Sequence, residues 1–171
     1  MYSATAEYAL RAVVYLAKQS PTSCTTEQIA EKTGVPAAYL SKILQNMRNA
    51  GIVRTKRGSK GGITLEGDLQ EVTILDVIRS VDPIDRINKC PLGGPEYAEL
   101  CPLHSRLDRA MARLEDEFRN TPIASLIEED NARTCPFPFP NSTAPADQTM
   151  IDLTCPIDPR LETKSEEQQP S

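Results

Sequence analysis

The stretch from Thr25 to Leu65 constrains this chain more than any other. In TTEQIAEKTGVPAAYLSKILQNMRNAGIVRTKRGSKGGITL, two segments with apolar residues at helical period flank Gly34-Val35-Pro36. A helix is expected near Thr25–Lys32, with Thr25 or Thr26 as its cap and Glu27 or Gln28 in the first turn. Gly34 can take the left-handed conformation that ends a helix, and Pro36 suits entry into the next. That next helix spans Ala37–Ala50, turns Leu40, Ile43, Leu44 and Met47 inward, and stops at Gly51. Two helices joined by a short glycine-containing turn form a helix-turn-helix. Ile52–Thr55 and Ile63–Leu65 then read as two strands around a tip of Lys56, Arg57, Gly58, Ser59, Lys60, Gly61 and Gly62, which is the hairpin of a winged helix-turn-helix.

The exposed face of the second of these helices carries Ala38, Ser41, Lys42, Gln45, Asn46, Arg48 and Asn49, with no acidic residue. A solvated helix normally mixes charge signs. A face of hydroxyls, amides and cations suits phosphate oxygens and base edges in a major groove. Three cations crowded at a hairpin tip repel one another unless an anion faces them, so phosphate or minor-groove contact is expected there. Ser41, Lys42 and Gln45, with Ala38 and Arg48 beside them, are the expected contacts from the helix. Arg57, Ser59 and Lys60 are those expected from the wing. A merely solvated hairpin, or a winged helix that binds protein, are the competing readings, and a steep fall of DNA affinity with salt separates them. The net charge of −5 conceals an asymmetry. Residues 1–70 hold nine Lys/Arg against five Asp/Glu (+4), and residues 71–171 hold ten against nineteen (−9).

Around this unit the chain reads as mainly α. A first helix over Ser3–Gln19 carries Ala6, Leu10, Val13, Val14 and Ala17 at three- and four-residue steps, widened by Leu16, and a short amphipathic helix over Val72–Val81 turns Ile74, Leu75, Ile78 and Val81 inward. In Leu103–Asn120, Leu107, Ala110, Leu114 and Phe118 form an apolar seam with Leu103 and Met111, flanked by charges. A seam of that kind needs a partner, and in a DNA binder a second copy is the natural one, with packing back onto its own domain as the alternative. Thr121–Ile127 adds a helical turn or two. From Arg133 onward the sequence holds seven of the fourteen prolines and no apolar period, so disorder is expected, with Cys135 and Cys155 incidental. The expected division is 1–82 for DNA binding, 83–130 for a cofactor loop and dimerisation helix, and 131–171 for an acidic, proline-rich tail. No apolar run approaches the roughly eighteen residues a membrane span requires, and the N-terminus lacks a signal peptide's pattern, so the expected location is cytoplasmic. A single histidine, with no Cys-x-x-Cys pair and no phosphate-cradling glycine loop, argues against an enzyme.

The segment KCPLGGPEYAELCPLH, residues 89–104, gathers two of the five cysteines and the only histidine. Cys90, Cys101 and His104 suit a metal site, zinc included. The ten residues between the cysteines also allow a reversible disulfide. His104 as a helix cap and the thiols as bystanders are the bland alternative. Cys24 stands apart, near the helix-turn-helix, and reads as a core filler.

The succession AEYALRAVVYLA, IAEKTGVPAAYLSKILQNMRNAGIV, RGSKGG followed by ITL, ILDVIRSVD and a loop ending CPLH resembles the IscR/NsrR (Rrf-two) family of bacterial transcription regulators over about residues 1–130. The resemblance implies a homodimeric winged-helix regulator with a long dimerisation helix. It also implies sensing of iron–sulfur status, nitric oxide or redox state through a cluster beside that helix. Cluster-bearing members have three cysteines in the loop and, in the iron–sulfur biogenesis type, a histidine three residues after the third. Cys90, Cys101 and His104 match, whereas Tyr97 or a neighbour stands at the middle position. Related nitric-oxide sensors use an acidic residue of the first helix, which carries over to Glu7, otherwise explained as a partner of Arg11 four residues on. A [2Fe–2S] cluster on Cys90, Cys101, His104 and Glu7 is therefore the implied cofactor, in a dimeric repressor on a double-stranded operator. The wing departs from many members, which have Pro-Gly in place of Ser59-Lys60 and Tyr in place of Ile63.

Overall fold

The computed structural model describes residues 3–58, 61–91 and 99–132. Six helices and one hairpin follow one another: α1 (Ala4–Gln19), α2 (Thr26–Thr33), α3 (Ala37–Asn49), β1 (Val53–Lys56), β2 (Gly62–Leu65), α4 (Ile74–Val81), α5 (Pro102–Arg119) and α6 (Ile123–Ala132). The expected bounds hold to within two residues for the first five elements, and the caps explain where the helices start. Ser3 Oγ accepts from the Ala6 amide at the head of α1. Thr25 and Gln28 exchange side-chain and backbone bonds at α2, and Thr73 and Asp76 do the same at α4, each a reciprocal capping box. Gly34 ends α2 at φ 69°, a conformation that a Cβ disfavours.

Helix α1 is the centre of the fold and touches α2, α3, α4, α6 and β2. Its burial is broader than one stripe. Ala9 and Ala12 are enclosed along with Ala6, Val13, Val14, Leu16 and Ala17, while Leu10 sits at the margin. Alanines let neighbouring helices approach closely, which is how one helix serves as a hub. The core joins Val13, Leu16, Ile29, Leu40, Ile43, Met47, Val77 and Ile123, all but closed to solvent.

Strands β1 and β2 pair antiparallel with Val53 opposite Leu65 and Lys56 opposite Gly62. Cys24 adds a bridge to Ile63 through two backbone bonds of 3.0 and 2.8 Å, so the wing is anchored on the α1–α2 connection. At the tip, a Cβ on Gly61 would collide with the carbonyls of Lys56 and Gly58. The turn requires glycine there.

Helix α6 is longer than the turn or two expected, and it returns to the core. Ile123 is fully buried, its amide donates to Val72 O at 2.8 Å, and Asp130 pairs with Lys18 of α1. The apolar residues of α5 also divide differently from the single seam expected. Leu103, Leu107 and Leu114 are 58, 46 and 39% exposed, whereas Met111 and Phe118 are half-buried, about 50° round the helix. They share that inner side with Asp108 and the buried Glu115, which the chain covers with α4 and residues 83–89.

Candidate nucleic-acid interface and thiol–histidine site

Two sites emerge, at opposite ends of the argument from sequence. The first is the outer face of α3. Ala38, Tyr39, Ser41, Lys42, Gln45, Arg48 and Asn49 are exposed there, and Leu40, Ile43, Leu44 and Met47 face the core. Ser41 Oγ donates to Ala37 O at 3.0 Å, which leaves its lone pairs available to an incoming donor. Arg54, Lys56 and Arg57 are exposed along β1 and beyond it, on the hairpin that follows α3 directly. Ser59 and Lys60 lie outside the described residues. Tyr39 is the residue that reading by charge and amide overlooked. Its ring is 62% exposed at the first turn of α3 and meets Tyr8 of α1 edge-on, 6.4 Å between centroids at 73°. An aromatic in a stripe of alternating polar residues would have been the signal.

The second site stands at the start of α5. Cys101 is the N-cap residue and His104 lies in the first turn, so one helical turn brings their side chains together. His104 Nδ1 is 3.2 Å from Cys101 Sγ and 3.4 Å from Cys90 Sγ. The three donor atoms lie within 4.8 Å of one another, all half-buried. Two sulfurs and a ring nitrogen converging on one volume is a soft donor set of the kind that suits zinc or an iron–sulfur cluster. An N-terminal helix end, where backbone N–H groups point outward, favours the negative charge such thiolates bring. Thus the sequence-predicted trio assembles, and no carboxylate joins it among the described residues. Glu7 instead accepts a hydrogen bond from Arg11 Nε at 2.9 Å on α1. Tyr97 lies outside the described residues, as do Cys135 and Cys155.

Cys24 belongs to neither site. It is buried in the core, and burial pushes its thiol up, with a hydrogen bond from Tyr15 pulling the other way. A thiol kept neutral in this way is a packing group.

The thiol–histidine end is held by charge. Arg86 Nε and Nη2 donate to the two carboxylate oxygens of Asp108, both at 2.6 Å, and the Ile87 amide adds a third bond to Asp108 at 3.1 Å. Arg86 Nη1 also reaches Glu115 at 3.5 Å, and Arg79 Nη2 of α4 holds the other oxygen of Glu115 at 3.0 Å. The hydrogen bonds from Arg86 hold Asp108 below the usual carboxylate range, against a smaller opposing effect of lost hydration. Asp108 in turn raises the already high value of Arg86. Among the described residues no helix is long and apolar enough to cross a membrane.

Comparison with known proteins agrees with this architecture. A candidate HTH-type transcriptional regulator of Aquifex aeolicus (strain VF5) is 26% identical over 140 residues, covering 80% of this chain and 97% of that protein. The solved structure of T. potens IscR superposes with a TM-score of 0.65 at 21% identity, covering 79% of this chain and 92% of that one. CymR (YrzC), described as the global cysteine regulator of B. subtilis, gives 0.64 at 22% identity, over 75% and 97%. At these identities the two structures speak for the winged-helix fold. The family described as Rrf2, iron-dependent transcriptional regulator, matches residues 2–129, and with three-quarters of the sequence inside that match the chain belongs to the Rrf2 family of transcriptional regulators, not to a family of enzymes.

Proposed function

We propose that this regulator binds its operator as a homodimer and that Cys90, Cys101 and His104 hold a [2Fe–2S] cluster which sets its DNA affinity. The observation that carries the second half is the convergence of the three donor atoms at the head of α5. When bound, a cluster on fewer than four thiolates carries less negative charge and is more easily reduced, a property that suits a sensor. Cys101 and His104 are fixed to each other by one helical turn, and Cys90 arrives from a segment clamped to the same helix. Three protein ligands leave one position for a further donor. Glu7 of a second copy is the proposed fourth, which would tie the site to α1 and so to the reading head.

For DNA, α3 enters the major groove with Ser41, Lys42 and Gln45 towards bases or phosphates and Ala38 and Arg48 beside them. The wing places Arg57, Ser59 and Lys60 on the backbone or the neighbouring minor groove. Repression follows from occupying the operator. Dimerisation rests on the exposed Leu103, Leu107 and Leu114. Completing their burial is worth roughly 1 kcal/mol each, a fraction of full leucine burial, along a helix about 27 Å long.

The test is anaerobic purification with an absorption spectrum and iron and sulfide analysis, alongside sedimentation and operator titration at several salt concentrations. Visible bands with about two irons and two sulfides per chain, the nuclearity the proposed cluster demands, support the reading. The same donors accept zinc, and the two sulfurs are near enough to pair. Stoichiometric zinc, or a colourless protein whose DNA affinity follows the oxidation of Cys90 and Cys101, would replace the cluster by those alternatives. DNA affinity that is flat with salt would overturn the interface.

A further inference from the structure

Cys90 presents a problem of placement. Residues 83–88 are neither helix nor strand, and so lack the backbone ladder that fixes Cys101 and His104. Yet Cys90 Sγ lies within 0.2 Å of the distance to the imidazole that Cys101, held within one helical turn, has: 3.4 against 3.2 Å. The charged cluster under α5 accounts for it. Arg86 stands four residues before Cys90, and Asp108 stands four after His104, one turn further along α5. Their fork-to-fork pair at 2.6 Å, reinforced by the Ile87 amide, therefore joins the two sides of the trio one step behind the donor atoms. A planar guanidinium against a carboxylate fixes orientation as well as distance, which an ammonium does not. Glu115, only 6% exposed, receives Arg86 on one oxygen and Arg79 on the other, so the same guanidinium is tied through a buried carboxylate to α4.

We propose that Arg86 is the positioning residue of the thiol–histidine site: paired with Asp108, it holds Cys90 against the head of α5, and through Glu115 it links that site to α4 of the reading head. This rests on the reading of Cys90, Cys101 and His104 as a ligand set. A residue of this kind, acting behind the ligands, typically changes metal affinity 10- to 100-fold when removed.

The experiment uses the full chain under reducing, anaerobic conditions, titrated with Co2+ as a spectroscopic probe of thiolate ligation. Wild type, Arg86→Ala, Arg86→Lys, Asp108→Asn and Cys90→Ser are compared. In parallel, the metal-free proteins are equilibrated with glutathione disulfide. There Cys90 and Cys101 lose two protons and two electrons to form their disulfide, and the reagent leaves as two glutathione thiols. The expected result is a thiolate-to-cobalt band in wild type that is lost in Cys90→Ser. Affinity should be at least roughly tenfold weaker in Arg86→Ala and Asp108→Asn, with Arg86→Lys recovering only part of it. The Cys90–Cys101 disulfide should be correspondingly less favoured in Arg86→Ala, while the circular dichroism of the helices stays the same. Wild-type affinity and a wild-type disulfide equilibrium in Arg86→Ala would overturn the proposal. A wild type with no thiolate band would overturn the ligand reading instead, and the disulfide equilibrium would then decide the placement of Cys90 alone.

Discussion

The reading head and the thiol–histidine end of this molecule are held together by different physics. In the head, Leu40, Ile43 and Met47 of α3 close against Val13 and Leu16 of α1 and Val77 of α4, all essentially without solvent exposure. At the thiol–histidine end, Ile84 and Ile87 of the segment carrying Cys90 are half-buried among the described residues, and Arg86, Asp108, Glu115 and Arg79 tie that segment to α5 and α4. Apolar burial is redundant and insensitive to direction, so many contacts must fail before the head loosens. A bidentate ion pair is directional and singular. Segments held in the second way are expected among the less stable parts of a fold, which open before the apolar core does.

The largest expected effect breaks the head. Leu40→Ala removes a fully buried side chain between α1 and α3 and should cost about 2–5 kcal/mol, read as a lower denaturation midpoint with unchanged slope. Both sites would be lost together, since α4, which packs on α1 and α3, supports the thiol–histidine end as well. Cys101→Ser reverses the pattern: it should abolish metal or cluster uptake while the denaturation midpoint of the metal-free chain moves little, because Cys101 makes no capping hydrogen bond and is half-exposed. A large loss of stability in the metal-free variant would mean that the two regions are not separable.

The contrast also explains what was legible in advance. The head could be read because its period, its caps and its Gly34 and Gly61 turns are local signals, each set within a few residues. The α3 face was legible as chemistry from its lack of acids, but Tyr39 was passed over because its contact, Tyr8, is 31 positions away. The trio stood out because two cysteines and the only histidine crowd into residues 89–104, and the structure brings their donor atoms within 4.8 Å of one another. The clamp was not, since Arg86 and Asp108 are separated by 22 residues and a charged residue gives no period to follow. The same cause misassigned the α5 surface. Met111 and Phe118 fit an apolar seam by spacing, and only the position of Arg86 and α4 shows that they are half-buried, while Leu103 and Leu107 stay exposed and Leu114 lies at the margin, lining a cavity with Met111, Ile78 and Ile84.

Within the interface itself the effects are smaller and graded. Arg57→Ala, on the wing, should weaken binding to every DNA sequence by a similar factor and lower the slope of log affinity against log salt by about one, as the loss of one phosphate contact requires. Gln45→Ala, on α3, should cost about 1–3 kcal/mol on the preferred operator and flatten preference at one base-pair position. Equal affinity for the Arg57 variant at moderate salt would remove the wing from the interface. An unchanged preference profile for the Gln45 variant would move base reading elsewhere on α3.

The smallest effect sharpens the comparison at the clamp, and it depends on pH. Asp108 is held below its usual range by Arg86, so its folded value is lower than its unfolded value of about 3.9. A depressed carboxylate contributes stability that is fully present above the unfolded value and is lost as pH falls through the folded one. The head contains no comparable dependence on a single carboxylate at α3, which has no acidic residue. Lowering the pH from 5 towards 3 should therefore loosen residues 86–90 before it loosens the core. The amide of Ile87, which donates to Asp108 Oδ1 at 3.1 Å, is a direct reporter. Its hydrogen-exchange protection, corrected for the intrinsic rate at each pH, should fall across this window while the amide of Leu44 in α3 keeps its own. In Asp108→Asn the Ile87 protection should be low and nearly independent of pH. Parallel losses at Ile87 and Leu44 would show instead that acid acts on the whole fold at once, and that the thiol–histidine end has no weaker tether of its own.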